Sequence, residues 1–241
     1  MLQGEKENIN TWITRINTDS KAAISVDCVV FGYDETGLKI LLIDCDMPPH
    51  EGKMSIVGDL VRSDENLDQA ATRILEQRTG LANLYMEQVK AFSEPERHPL
   101  GRVITLAYYS LIKIKDYIIV DKEHKQPKWI NIEDIGDLAF DHNEIVSTCL
   151  ESLQKKVREH PIGFSLLPKK FSLMQLQNLY ETVLGIELDK RNFRRKLNSL
   201  KLLIDLGENQ KEVSHRPAKL YSFDFEKYDS KRKKGKLNFE L

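Results

Sequence analysis

The first two-thirds of the chain alternates short β-rich runs with two segments of helical periodicity. Residues 24–33 are apolar and β-prone, and residues 38–43 follow them after a turn that is typical of a hairpin. Segments 66–79 and 141–157 instead repeat their apolar residues at the spacing of an amphipathic helix. Further strands are predicted over residues 54–57, 84–92, 103–114 and 128–131. Together these runs predict a mixed sheet flanked by helices, an α/β/α sandwich.

The helix predicted over residues 66–79 has well-marked ends. Asn66 followed by Gln69 is the pattern of a capping box, in which each side chain accepts a hydrogen bond from the backbone of the other residue. Gly80 is the usual type of residue just after a helix. The predicted buried face consists of Leu67, Ala70, Ala71, Ile74 and Leu75. Local sequence alone therefore specifies where this helix begins, where it ends and which face it buries.

The last third of the chain changes to short helices. A capping box at Ser172 and Gln175 begins one helix, and Asp189 is placed to cap a second helix over residues 190–200. The second helix has its apolar residues at i, i+4 and i+7, namely Phe193, Leu197 and Leu200. Two short strands are predicted over residues 202–204 and 220–223, with a wing between them over residues 207–219. Helix, turn, helix and wing is the pattern of a winged helix-turn-helix domain.

A joint between two domains is predicted where prolines and a glycine interrupt the helical pattern. Pro161, Gly163 and Pro168 exclude a continuous helix across this stretch. The fold class is therefore α+β, with the α/β/α sandwich first and the winged helix-turn-helix domain second. The predicted segments are an N-terminal arm (1–21), the sandwich domain (22–158), a linker (159–170), the winged helix domain (171–226) and a basic tail (227–241).

Bulk composition excludes several classes of protein. Hydrophobic residues make up 41% of the chain and charged residues 30%, which is typical of globular proteins and not of disordered ones. The chain has no apolar run long enough to span a membrane, and its first residues lack the apolar centre of a signal peptide. Its three cysteines, Cys28, Cys45 and Cys149, form no zinc pattern. We therefore expect a cytoplasmic protein without a membrane partner, a metal site or another cofactor.

Charge is distributed unevenly along the chain. Residues 161–241 contain 17 Lys and Arg against 10 Asp and Glu, although the whole chain has a net charge of −1. Arginine pairs with guanine edges and asparagine with adenine, while lysine more often contacts phosphates. Double-stranded DNA is therefore the predicted partner of the basic third. The residues predicted to contact DNA are Lys190, Arg191, Asn192, Arg194, Arg195 and Lys196 on the second helix, with Arg216 and Lys219 on the wing.

Residues 58–81 resemble the Nudix box, the segment that holds a divalent metal in Nudix hydrolases. The positions that match its frame are Glu65, Arg73, Leu75, Gly80 and Leu81. The glutamates that hold the metal align with Ile74, Gln77 and Arg78, and the box glycine aligns with Asp59. Magnesium needs carboxylate oxygens, which isoleucine and arginine do not supply. The resemblance therefore predicts a degenerate Nudix-like domain that has no catalytic residue and that binds instead of cleaving.

Most of the chain, over about residues 22–225, resembles the Nudix-related bacterial transcription regulators. The resemblance is carried by segments 140–142, 161–164, 171–196 and 216–221. Members of this family bind a small effector in a Nudix-like domain and an operator through a winged helix, usually as dimers. The resemblance therefore implies a homodimer that binds an operator and a sugar or nucleotide sugar, such as arabinose or ADP-ribose.

Two departures from the family pattern favour a neutral sugar as the effector. Asp44 and Cys45 stand where the family has Lys-Arg, and Asp59 replaces a glycine before the box. Fewer cations and an added carboxylate suit hydroxyl groups better than phosphates. The residues predicted to bind the effector are Asp59, Glu94, Arg97, Arg102, Asp141 and His142. Each also has a plainer explanation as a turn residue, a solvated loop residue or a helix cap.

The predicted function is a DNA-binding repressor controlled by a small metabolite, with a role in carbohydrate metabolism. Two other classes stay open. A Nudix-type hydrolase of nucleoside diphosphate sugars would need atypical metal ligands such as Glu65 and Glu76. A scaffold would use the winged helix to bind protein. Binding without turnover would speak against the hydrolase, and affinity for nucleic acid at low salt would speak against the scaffold.

Overall fold

Two folded units follow one another along the chain. The computed structural model describes residues 21–121, 126–210 and 217–234. Within these ranges an α/β/α sandwich precedes a winged helix-turn-helix domain, so the predicted fold class is confirmed. The predicted N-terminal arm, apart from its last residue, and the end of the predicted basic tail lie outside the described residues.

Strand β1 (Ala23–Asp34) is the central strand of the larger sheet and is buried on both faces. Because side chains alternate along a strand, Val26 and Val30 pack in a hydrophobic cluster on one face of the sheet, and Phe31 packs in a second cluster on the opposite face. All three side chains are fully buried. A strand that is apolar on both faces requires a covering layer on each side, which explains the sandwich.

The larger sheet is mixed. Besides β1 it contains β2 (Gly37–Asp44), β3 (Met54–Ser55), β4 (Val57–Leu60), β5 (Glu87–Phe92), β6 (Val103–Lys113) and β7 (Lys128–Asn131). The strand order is β3-β2-β1-β6-β5, with β4 also paired to β1 and β7 to β2. β1 and β6 are parallel, and the other pairs are antiparallel. The predicted hairpin of β1 and β2 is confirmed and closes between Asp34 and Gly37.

One helix covers each face of this sheet. α1 (Leu67–Thr79) begins with the predicted capping box of Asn66 and Gln69 and ends at Gly80, which has a left-handed φ of 74°. That conformation is easiest for glycine, which has no side chain to clash with the backbone. α2 (His142–Glu159) covers the other face through buried side chains that include Ile145, Cys149 and Leu153.

The second unit has the predicted order of elements. Its helices are α3 (Leu173–Leu184) and α4 (Lys190–Leu200), and its hairpin is formed by β8 (Leu203–Asn209) and β9 (Lys219–Phe223). Ser172 and Gln175 form the predicted capping box of α3, and the Asp189 carboxylate caps α4. A backbone bridge between Phe171 and Tyr221 ties the start of this unit to its hairpin.

The joint between the two units is packed. Phe164 lies in a short 3-10 helix (Ile162–Leu166), is buried, and stacks on Phe223 with ring centroids 4.1 Å apart. In addition, the Gln154 Nε2 of α2 donates to the carbonyl oxygens of Val183 and Leu184, each at 3.3 Å. These carbonyls belong to the last turn of α3 and have no partner within the helix. α2 is therefore fixed directly to the winged helix unit.

Several predicted elements differ from the observed ones. The strand predicted over residues 54–57 is divided into β3, which pairs with β2, and β4, which pairs with β1. The strand predicted over residues 202–204 runs on to Asn209 in β8. The strand predicted over residues 84–92 begins at Glu87, because Leu84 and Met86 pack against the apolar cluster below α1 before the strand starts. Part of the predicted basic tail forms a helix, α5 (Phe225–Lys233), which Asp224 caps. The Lys231 Nζ donates to the Leu200 carbonyl at 2.6 Å, so the end of α4 holds α5 in place. In the described part of the chain, no helix has the length and hydropathy that a membrane span needs.

Candidate effector cavity and nucleic-acid interface

A cavity of about 400 Å³ opens at one end of the sheet, where α1 ends and α2 begins. Arg78 from α1 and His142 from α2 both line it. The predicted effector residues in its wall are Asp59, Arg97, Arg102 and His142. Glu94 and Asp141, also predicted to bind effector, are not among the described residues that line this cavity. The sequence therefore predicted four residues that the fold brings to one cavity, and their role in binding stays a prediction.

Arg97 joins two acidic side chains beside the cavity. Its guanidinium donates to both carboxylate oxygens of Asp141, at 2.7 and 2.6 Å, and lies 3.7 Å from the Asp27 carboxylate. The Arg97 side chain is 4% exposed, so a ligand reaches little of it. A side chain at Gly58 would collide with the Asp27 carboxylate, which explains a glycine on the neighbouring strand. The Arg97 and Asp141 pair thus anchors the start of α2.

His142 is buried at the base of the cavity. The Ile56 backbone N–H donates to its Nδ1 at 3.4 Å, and the Ser55 hydroxyl lies 3.2 Å from the same atom. Because Nδ1 accepts, the ring proton is assigned to Nε2, which lies 4.0 Å from Asp27. Burial lowers the pKa of His142, and the neighbouring Asp27 carboxylate opposes that shift only in part. His142 is therefore neutral near pH 7.

Replacing His142 with glutamine is expected to flatten the dependence of stability on pH. Because the pKa is lowered by folding, the unfolded chain takes up a proton below about pH 6.5 that the folded chain does not. The wild type therefore loses stability as the pH falls below that value, and the variant should lose less. Melting temperatures between pH 7 and pH 5 measure the difference. His160→Gln, at an exposed histidine, is the control, and equal slopes for wild type and His142→Gln would contradict the prediction.

The Phe140 and His98 rings form an aromatic corner in another part of the cavity wall. Phe140 has a left-handed φ of 53°, which is strained for a residue with a side chain. The His98 ring stacks on it at 5.0 Å with an interplanar angle of 10°, and the His50 ring meets its edge at 4.6 Å. This corner offers flat apolar surface next to charged groups, a combination that suits a ligand with a planar ring and polar groups.

The three positions that align with metal-binding glutamates point in different directions. Ile74 is 1% exposed and lies in the apolar core. Gln77 accepts a hydrogen bond from Arg73 at 3.2 Å, and Arg78 donates to the Asp59 carboxylate at 2.7 Å. Within the described residues, no group of three or more His, Cys, Asp or Glu is arranged to hold a metal ion. The residues at this site do not fit the divalent cation of a Nudix hydrolase.

The two carboxylates considered as atypical metal ligands are also poorly placed. Glu65 accepts from Arg73 at 2.8 and 2.5 Å, and this pairing lowers the pKa of Glu65 to about 2. Glu76 lies on the exposed side of α1. Neither residue lines the cavity. Glu65 therefore fixes Arg73 and the loop before α1, and the two acids do not converge on a shared site.

The α4 helix presents its cations outward, as the sequence predicts. Phe193, Leu197 and Leu200 are buried beneath it. The exposed residues are Lys190, Arg191, Asn192, Arg194 and Arg195, and Lys196 is half-buried. Arg191 and Arg195 are one helical turn apart on the side opposite the buried residues. The Arg195 guanidinium donates to the Asn192 side-chain oxygen at 2.8 Å, which holds both groups on the same surface.

The wing carries acidic side chains that pair with nearby cations. Lys219 lies 3.3 Å from Asp205, and Lys170 lies 2.7 Å from Glu208. Arg216, predicted to contact DNA, lies outside the described residues. A phosphate would have to compete with Asp205 for Lys219, so α4 is the stronger candidate for contacting DNA.

Sequence reasoning missed three residues of the cavity. Asp27 was not predicted because it lies in a mainly apolar strand. An acidic residue within such a run is itself unusual, and that is the signal that could have identified it. Phe140 was recognised as a residue of the cavity only from the structure, where its backbone is left-handed. Arg78 was noted for the ligand it replaces, whereas the structure also places it in the cavity wall.

Comparison with known protein families agrees with the two folded units. Residues 21–149 match the NUDIX domain, and residues 163–223 match the NrtR DNA-binding winged helix domain. The second match begins inside the predicted linker and includes Phe164, whose ring packs with that unit.

Two of the relatives described here span both units, and a third matches about half of the chain. The "ADPR responsive transcriptional repressor NtrR" of Acinetobacter baylyi is 33% identical over 210 residues, which cover 86% of this chain and 84% of the relative. Shewanella oneidensis NrtR, in a crystal structure with a 27mer DNA, superposes with a TM-score of 0.68 at 28% identity, covering 86% of this chain and 95% of that one. The "ADP-ribose pyrophosphatase" of Methanocaldococcus jannaschii is 28% identical over 52% of this chain and 70% of its own length. The chain therefore belongs to the family of Nudix-related transcriptional regulators, in which a Nudix domain precedes a DNA-binding winged helix domain.

Proposed function

We propose that the protein is a repressor that binds a DNA operator through α4, and that ADP-ribose or a closely related nucleotide sugar controls this binding from the cavity. The observation that carries the proposal is the position of α2. Its first residue, His142, lines the cavity, and Gln154 further along the same helix holds the end of α3. One rigid helix thus connects a ligand cavity to the helix-turn-helix.

The effector proposed here differs from the neutral sugar that the sequence favours. That expectation rested on Asp44 and Asp59, but Arg78 and Arg102 also line the cavity and Arg78 pairs with Asp59. Guanidinium groups bind phosphate oxygens in bidentate geometry. The A. baylyi relative, described as ADPR responsive, supports the same class of ligand. Arabinose and a role in carbohydrate metabolism therefore become the weaker hypothesis.

The protein is proposed to bind its effector without hydrolysing it. Hydrolysis of a diphosphate by a Nudix enzyme requires a metal held by carboxylates. Here the aligned positions hold a buried isoleucine, a glutamine bonded to Arg73, and an arginine paired with Asp59. A hydrolase therefore has less structural support than a regulator, even though one relative is an ADP-ribose pyrophosphatase.

Control of DNA binding requires that the effector prefers one arrangement of the two units. Bound ligand would contact the cavity wall at His142, the first residue of α2, next to the ion pair in which Arg97 holds Asp141. A small tilt of α2 would reach α3 through Gln154 and the packed joint. In a homodimer, which we also propose, such a tilt would change the spacing of the two α4 helices against the half-sites of an operator.

Titration with ADP-ribose tests the proposed function. A duplex selected from random sequence by binding to the protein serves as the operator. We expect ADP-ribose to displace it, and to raise the melting temperature of the free protein, since saturation at 100 times Kd adds about 2.7 kcal/mol to stability. Arabinose, ribose 5-phosphate and AMP are the comparison ligands. Stabilisation by arabinose with no effect of ADP-ribose would refute the proposed effector, and release of AMP from ADP-ribose would reveal a hydrolase.

A further inference from the structure

Arg78 lies at the position where a Nudix hydrolase has a metal-binding glutamate, and it faces the cavity. Of the three aligned positions, Ile74 is in the core and Gln77 is bonded to Arg73, so Arg78 is the one that lines the cavity. Its side chain is 18% exposed, so it is half-buried in the cavity wall and still open to contact. The sequence therefore has a cationic side chain, Arg78, at the position where a Nudix hydrolase has a side chain that binds a cation.

The Asp59 carboxylate holds this guanidinium at 2.7 Å. Asp59 is on β4, where the family pattern has a glycine, and its side chain is 42% exposed. Both partners of the ion pair thus depart from the family pattern and contact each other across 19 residues of chain. Because the Asp59 side of the pair is open to solvent, the guanidinium can exchange this partner for an anionic ligand. Asp59 keeps the guanidinium oriented towards the cavity when no anion is bound.

We propose that Arg78 binds the diphosphate of the effector directly, replacing the divalent cation on which Nudix hydrolases rely, and that Asp59 is the carboxylate which the diphosphate displaces. This inference rests on the proposed class of effector and assigns the group that recognises it. The exchange is noncovalent: one carboxylate oxygen leaves the guanidinium and phosphate oxygens take its place. Arginine suits this role because its planar group donates two parallel hydrogen bonds and remains charged at any physiological pH.

Calorimetric titration of the full chain with ADP-ribose, in EDTA and in Mg²⁺, tests this assignment. Wild type should bind equally well in both. Arg78→Gln should weaken binding by roughly 10- to 100-fold, the usual effect of losing a hydrogen-bonded charge. Arg78→Lys should lie between the two, and Asp59→Asn should tighten binding several-fold by removing the competitor. Arg62→Gln, an exposed arginine just before α1 that is not in the cavity wall, is the matched control and should bind like wild type.

A requirement for Mg²⁺, or equal binding by Arg78→Gln and Arg62→Gln, would overturn the assignment. Weaker binding by Asp59→Asn would also do so, since it would make Asp59 a direct ligand of the effector. Inorganic pyrophosphate is the second probe and separates the two proposals. Pyrophosphate binding that is independent of Mg²⁺ and lost in Arg78→Gln, with no binding of ADP-ribose, would overturn the proposed effector and support Arg78. Binding of neither probe would overturn both.

Discussion

Replacing Arg191 and Arg195 together with alanine is expected to lower operator affinity by about two to four orders of magnitude, since each arginine that contacts a base contributes roughly 1–3 kcal/mol. Both side chains are exposed on the face of α4 opposite its buried residues. That face is the part of a recognition helix that enters the major groove. Gel-shift titration at a fixed salt concentration measures the loss.

The matched control for this prediction removes the same charge from the other domain. Arg62 and Arg158 are exposed arginines outside the winged helix unit, so Arg62→Ala with Arg158→Ala should change operator affinity by less than about tenfold. Equal losses in the two double variants would mean that net charge, and not the α4 surface, determines binding. Unchanged melting temperatures would show that both variants are folded, because none of the four residues is buried.

Phe164→Ala is expected to lower the free energy of unfolding by about 3–5 kcal/mol, the usual cost of removing a buried aromatic ring. The ring is 4% exposed and lies against Phe171, Tyr180 and Phe223 at centroid distances of 5.8, 6.4 and 4.1 Å. Its removal leaves a cavity at the joint where the two units meet. Urea unfolding, followed by intrinsic fluorescence, measures the change.

Phe225→Ala is the control at the same cluster. Phe225 also meets Phe223, at 4.7 Å, but it is 59% exposed, so its removal should change stability by no more than about 1 kcal/mol. Equal effects of the two substitutions would show that the joint is not a packed core. A second unfolding transition in Phe164→Ala would instead show that the joint couples two units that otherwise unfold separately.

The effector illustrates where reasoning from single residues reaches its limit. Considered alone, Asp44 and Asp59 are acids that repel a phosphate, and each lies in the cavity wall. The sequence does not show that Asp59 is neutralised by Arg78, because the pairing depends on β4 lying beside the end of α1. The charge that a ligand meets depends on how acids and cations pair in space, and the pairing of Asp59 with Arg78 is what changed the proposed ligand from a neutral sugar to a diphosphate.

Local interactions allowed the sequence by itself to determine most elements of the fold. Capping boxes act over three residues and helical faces over four, so the bounds of α1, the start of α3 and the cationic surface of α4 were predicted nearly as observed. The absence of glutamates at positions 74, 77 and 78 was likewise readable from the sequence, through its resemblance to the Nudix box. α5 was missed because its residues have little amphipathic pattern, and its cap and the Lys231 bond to the end of α4 hold it in place.

Only the tertiary structure decided which distant side chains meet. Asp27, Arg97 and Asp141 come from three separate elements, and their ion pairs form because the central strand, a loop and the start of α2 converge at one end of the sheet. The packing of Phe164 and the bond from Gln154 to α3 similarly depend on how the two units dock. Such contacts are selected by burial and charge compensation over the whole molecule, which no pattern of neighbouring residues encodes.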